Sequence, residues 1–128
     1  MPQRIALTTL VVRDYDEAIA FYRDKIGFEV VEDTPLGDGK RWVVMAPAGA
    51  TGGLLLARGV GERQQARAGD QTGGRVGFFL FTDDFARDHA AMTARGVRFV
   101  RAPKSEPYGT VAVWEDLYGN LWDLLQPA

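Results

Sequence analysis

The sequence predicts an α+β fold made of two βαβββ repeats, and three observations carry that expectation. Segments 4–14 and 75–84 begin alike, each a β-branched and aromatic run that ends in aspartate, the pattern of a strand handing over to a helix N-cap. A shift of 69 residues superposes Asp14 on Asp83, Gly27 on Gly96, Val31 on Val100, Val44 on Val113 and Leu55-Leu56 on Leu124-Leu125. No single match is informative, but their common spacing is. After each helical segment the chain continues with three extended runs of similar length.

The first helix opens at Asp14, with Glu17 three residues on in the capping-box arrangement. It carries Ala18, Phe21, Tyr22 and Ile26 on one face and stops at Gly27. The second opens at Asp83-Asp84, presents Phe85, His89 and Met92 on one face and stops at Gly96. In the first half the extended runs are 28–33, 40–46 and 53–58, separated by the turn-rich stretches 34–39 and 47–52. In the second half they are 97–101, 110–115 and 121–126, with 116–119 as a hairpin turn. One domain is expected over 1–128, with repeat one at about 4–60, a polar linker at about 61–74 and repeat two at about 75–126.

Composition narrows the chemistry. With 46% hydrophobic, 11% aromatic and 25% charged residues, the 128-residue chain falls with ordinary globular proteins, outside the disordered and low-complexity classes. Fifteen basic residues against seventeen acidic give a net charge of -2, which removes nucleic acid as a partner. The absence of cysteine excludes disulfides, thiolate metal sites and cysteine nucleophiles. Any catalytic triad or multi-histidine centre would have to be built on the single imidazole of His89. The first residues lack the apolar core of a signal peptide, and no apolar run approaches the roughly 18 residues that span a bilayer. A cytoplasmic protein with no membrane partner is expected.

The pattern resembles the vicinal oxygen chelate superfamily, which includes glyoxalase I, bleomycin-resistance proteins, fosfomycin-resistance enzymes and extradiol dioxygenases. In the first half the likeness is carried by Leu10-Val11-Val12-Arg13-Asp14, Ala18-Ile19-Ala20-Phe21-Tyr22 and Ile26-Gly27-Phe28, and in the second by the run from Val113 through Trp114, Gly119 and Asn120 to Leu124. The resemblance implies that the repeats form an open, curved eight-stranded mixed sheet, that the chain is a homodimer and that a pocket lies on the concave face. The family's enzymes hold a divalent metal there, with one ligand from the first strand and one from the last strand of each unit. Those positions fall here on Leu7, on Val76 or Gly77, on Leu54 or Leu55, and on Asp123. A leucine offers no lone pair, and one carboxylate with waters does not supply the ligand sets of Mg²⁺, Mn²⁺, Zn²⁺ or Fe²⁺. No metal and no cofactor are therefore expected, and His89 is read as a packing residue beneath a sheet.

Strand alternation gives a list of inward side chains. If the last hairpin closes through 116–119, Trp114 faces Leu121 and Ala112 faces Asp123 inside the pocket, while Val113, Trp122 and Leu124 turn to the helices. The 69-residue shift then places Arg41, Met45, Leu54 and Leu56 inward and Trp42 and Val44 toward the first helix. Phe78 comes from a first strand and Tyr108 stands at the rim. The ligand-binding set is thus Arg41, Met45, Leu54, Leu56, Phe78, Tyr108, Trp114 and Asp123. Apolar walls with a few charged groups suit a small organic ligand, although a filled core with Arg41 and Asp123 paired fits the same residues. The leading reading is a metal-independent small-molecule binder of the bleomycin-resistance type, with an antibiotic or aromatic ligand stacked on Trp114 and Phe78. The alternative is a glyoxalase-like lyase or isomerase, with Asp123 as base or residual metal ligand and Arg41 holding an oxyanion. A partner domain with a closed cavity is the third.

Overall fold

The computed structural model describes residues 2–128, and each repeat follows the expected order of strand, helix and three strands. In the first repeat β1 (Leu7–Val12) leads into α1 (Tyr15–Phe21), then β2 (Glu29–Gly37), β3 (Lys40–Ala46) and β4 (Gly53–Arg58). A short helix, α2 (Gly61–Gln65), follows β4. The second repeat comprises β5 (Val76–Phe81), α3 (Phe85–Ala94), β6 (Arg98–Glu106), β7 (Gly109–Glu115) and β8 (Leu121–Pro127). Hydrogen bonding gives each repeat its own four-stranded mixed sheet, ordered β1-β4-β3-β2 and β5-β8-β7-β6. The first strand of each repeat pairs in parallel with its last, and the other pairings are antiparallel. Among the described residues no helix is long and apolar enough to cross a membrane.

Both helices start with a carboxylate cap. Asp14 accepts the Glu17 N–H at 2.9 Å, and Asp84, rather than Asp83, accepts the Arg87 N–H at 3.1 Å. Each bond satisfies a donor that the first helical turn would leave unpaired. After Phe21 the first helix widens into a π-helical turn, Tyr22–Ile26, before Gly27 ends it at φ 92°. The turn holds one residue more than the matching stretch before Gly96. The β3–β4 loop also has one residue more than the β7–β8 loop. The spacing between repeats is therefore not a constant 69 residues. It runs from 70 at the first strands through 69 to 68 at the last.

Two strands run past their expected ends. The segment expected as a turn at 34–39 is mostly strand, because β2 continues through Pro35 to a two-residue hairpin. There Asp38 and Gly39 have φ 55° and 77°, the left-handed pair of a type I′ turn. Likewise β6 passes through Pro103 to Glu106. Both are edge strands, where a proline without an N–H is tolerated and helps to block further pairing.

The core of the second sheet is an aromatic row. Phe99, Trp114, Trp122 and Phe78 are cross-strand neighbours over β6, β7, β8 and β5. The two indoles stack with centroids 4.9 Å apart and 15° between planes, and Trp122 stacks on Phe78 at 4.9 Å and 23°. His89 of α3 lies 4.2 Å from Phe99 and stacks on Phe85 at 5.5 Å, so the row faces the helix. In the first sheet Leu10, Leu56 and Val43 form a fully buried row. Trp114 has 0% exposure. Trp114→Ala is expected to destabilise the fold by about 3–5 kcal/mol in urea denaturation, whereas Phe79→Ala, on the opposite face, should cost about 0.5 kcal/mol or less.

Candidate functional site

The β7–β8 loop decides which side chains face away from the helix. The Asp116 carboxylate accepts the Tyr118 N–H at 2.9 Å, the Asn120 N–H at 2.9 Å and the Asn120 side-chain amide at 2.8 Å. The Asp116 N–H in turn donates to the Asn120 carbonyl at 3.0 Å. These bonds draw Asn120 out of β8 and into the loop. Glu115 consequently pairs with Leu121, and Trp114 with Trp122. The expected register, Trp114 opposite Leu121, is off by one residue, and in a strand such a slip exchanges the two faces.

The correction reaches most of the expected site. Trp114 turns to the helix side with Ala112, and Val111 and Val113 take its place on the open face beside Asp123. Phe78 also joins the core, because β5 has a register break at Gly77, and Phe79 becomes the outward residue, 59% exposed. In the first repeat Met45, Leu54 and Leu56 are buried on the helix side with Val43. The 69-residue shift carried the β7 face error onto Met45 and Arg41, for Leu54 and Leu56 it was one residue too long, and Trp42 and Val44 lie on the open face. Arg41 faces α1, where it pairs with Asp16 at 2.8 Å and Asp33 at 2.7 Å and lies over the Tyr15 ring at 5.2 Å. Hydrogen bonds to Asp33 and then Asp16 raise its pKa further, and its bond to Asp33 lowers that carboxyl. A guanidinium so engaged is not available to hold an oxyanion.

On the open face of the second sheet, Phe79, Asp123, Val113 and Arg101 form one row across β5, β8, β7 and β6. This row floors a cavity of about 580 Å³ that Val111, Tyr108, Arg75 and the ion-paired Lys104 and Glu106 (3.0 Å) also line. Asp123 and Tyr108 are the two expected site residues that meet here. Phe79, Arg101 and Val113 were missed, Val113 through the hairpin register and Phe79 through the break at Gly77. Val113 stands between Asp123 and Arg101 in the row, so the backbones of these two residues are two strand spacings apart, roughly 10 Å. Burial raises the pKa of the Asp123 carboxyl, and the charge of Arg101 opposes that rise.

The metal of the family's enzymes does not fit these residues. The cross-strand neighbours of Asp123 are Phe79 and Val113, neither of which has a donor atom. Among the described residues no three His, Cys, Asp or Glu side chains are grouped to hold an ion.

Paired βαβββ repeats, each joining its first strand in parallel to its last, define the vicinal oxygen chelate class of fold. The family model of the Glyoxalase/Bleomycin resistance protein/Dioxygenase superfamily matches residues 4–124, and the chain belongs to this superfamily. An uncharacterized protein of Shewanella frigidimarina (strain NCIMB 400) is 56% identical over 128 residues, covering 98% of this chain and 95% of that one. The crystal structure of UcmS2 is similar with a TM-score of 0.84 and 32% identity over 98% of each chain. TnmS3, an antibiotic binding protein from Streptomyces sp. CB03234, is similar with a TM-score of 0.81 and 32% identity over 99% of this chain and 98% of that one.

The raised Asp123 carboxyl has a definite sign in stability. An acid whose folded pKa exceeds its unfolded value, about 3.9 for aspartate, stabilises the fold below that value and loses the contribution as pH rises through the folded pKa. Asp123→Asn is therefore expected to be more stable than wild type at about pH 7 and to lose the advantage near about pH 3 in urea denaturation. Arg101→Gln should move the Asp123 midpoint, followed by carbon NMR, further upward. A midpoint at or below about 3.9 contradicts this account.

Proposed function

We propose that the chain binds a planar aromatic or amphipathic organic molecule on the open face of its second repeat, without a metal ion and as a homodimer. The observation that carries this reading is the composition of the cavity there. Its floor is Phe79, Val111 and Val113, the Asp123 carboxylate lies between Phe79 and Val113, and the guanidiniums of Arg101 and Arg75 belong to the lining. Apolar area gives affinity, and charges of both signs orient the ligand. An exposed phenylalanine in such a surface is costly in water and gains most when a flat ring covers it. The likeness to an antibiotic binding protein favours an antibiotic as the ligand class. The exposed Phe79, Phe81 and Tyr108 of the second repeat supply apolar surface for a second copy of the chain.

A second reading rests on the raised Asp123 carboxyl. A partly desolvated carboxylate suits a base that removes a proton next to a carbonyl, as in a lyase or isomerase. In that reading Arg101, not Arg41, is the cation within electrostatic reach.

Calorimetric titration with a panel of planar aromatic antibiotics tests the binder. At least one member should bind saturably, Phe79→Ala should weaken it by about tenfold, and EDTA should leave the affinity unchanged. A flat response across the panel, or loss of binding on chelation, overturns the proposal. Light scattering should give twice the mass of one chain.

A further inference from the structure

The first repeat has a cavity of its own, opened by an interrupted strand pair. The β3–β4 ladder holds only from Val43 opposite Leu56 to Met45 opposite Leu54. Its counterpart in the second repeat, β7–β8, is paired along its whole length from Gly109 to Glu115. Below Val43 the two strands part, and the Tyr15 hydroxyl enters at that end to accept the Arg41 backbone N–H at 3.2 Å. The opening is a cavity of about 660 Å³ with Leu36, Trp42, Leu55 and Val60 in its lining. None of its residues belongs to the second-repeat cavity.

Two guanidiniums lie over the Tyr15 ring, Arg41 at 5.2 Å and Arg58 at 5.6 Å from its centroid. Their charges are balanced differently. Arg41 has the carboxylates of Asp16 and Asp33. Among the described residues Arg58 has no ion-pair partner. Its head is positioned by the Tyr15 face and by the hairpin, where a Cβ on Gly39 would come 3.3 Å from the guanidinium. A planar cation held on a ring and left without a counter-charge is preorganised for a two-pronged acceptor. The exposed large aromatic in the same opening is Trp42, 37% exposed, which offers an indole to a flat apolar body.

We propose that this opening is a second ligand site that binds an aromatic monocarboxylate, its carboxylate on Arg58 and its ring against Trp42. A single negative charge fits better than two. Asp38 and Lys40 both line the cavity and offset each other, and Asp16 and Asp33 stand around Arg41, so the surplus of positive charge is the Arg58 guanidinium, which matches one negative charge better than a phosphate dianion.

The test follows the indole N–H of Trp42 in proton–nitrogen NMR spectra of the full chain, assigned by its loss in Trp42→Phe. The probes are 2-naphthoate, its neutral analogue 2-naphthamide, and inorganic phosphate. Naphthoate should shift the resonance saturably. Arg58→Gln should weaken naphthoate by about tenfold or more and leave the amide unaffected. Arg58→Lys, which keeps the charge and loses the fork, should fall between them and stands in for the glutamine variant should that one fail to fold. Asp123→Asn and Arg101→Gln should change nothing at this resonance, which separates the site from the one in the second repeat. Absence of a saturable shift, an Arg58 variant that binds naphthoate as wild type does, or phosphate that competes as strongly as naphthoate overturns the proposal.

Discussion

The three hydrogen bonds accepted by the Asp116 carboxylate are the constraint on which the second repeat depends. They make Asn120 a loop residue and so set the pairing of β7 with β8. Because side chains alternate strictly along a strand, that one decision places both tryptophans beneath the sheet and leaves Val113 and Asp123 above it. Asp116 and Asn120 are each 5% exposed, so the loop is shielded from water that would compete for these bonds. The aromatic row and the open-face cavity are two sides of the same register.

The repeats share an architecture and use it differently. The second closes its last hairpin completely, and its polar groups stand on the face away from the helix. The first stops its ladder after three pairs and brings a tyrosine and two arginines to the gap. A short ladder frees backbone groups, and here the Tyr15 hydroxyl satisfies the Arg41 N–H. In a symmetrical pair of repeats the same sheet would simply be built twice. The difference in strand pairing is what gives each half its own chemistry.

Much of the fold was legible in the sequence. The aspartate caps, the terminating Gly27 and Gly96, the order of strands and the packing role of His89 all follow from local chemistry that tertiary structure did not override. The strand end at Pro35 was read as a turn and the β6 run was ended at Arg101, since a proline reports a missing donor without saying whether the strand lies at an edge. The candidate site was legible only in part. Asp123 and Tyr108 reached the open-face cavity, while Trp114 and, through the repeat shift, Met45 went to the core because local sequence does not distinguish an asparagine that ends a loop from one that begins a strand. Phe78 did so because of the break at Gly77, and Leu54 and Leu56 because the last strands are 68 residues apart. Residues chosen by a constant repeat spacing inherit every insertion between the copies.

The π-helical turn at Tyr22–Ile26 shows how such an insertion is carried without harm. An extra amino acid inside a strand would invert every side chain beyond it. Lodged in a widened coil, it leaves the next strand in phase, so the first helix takes up the added length while the ladders keep their pairing.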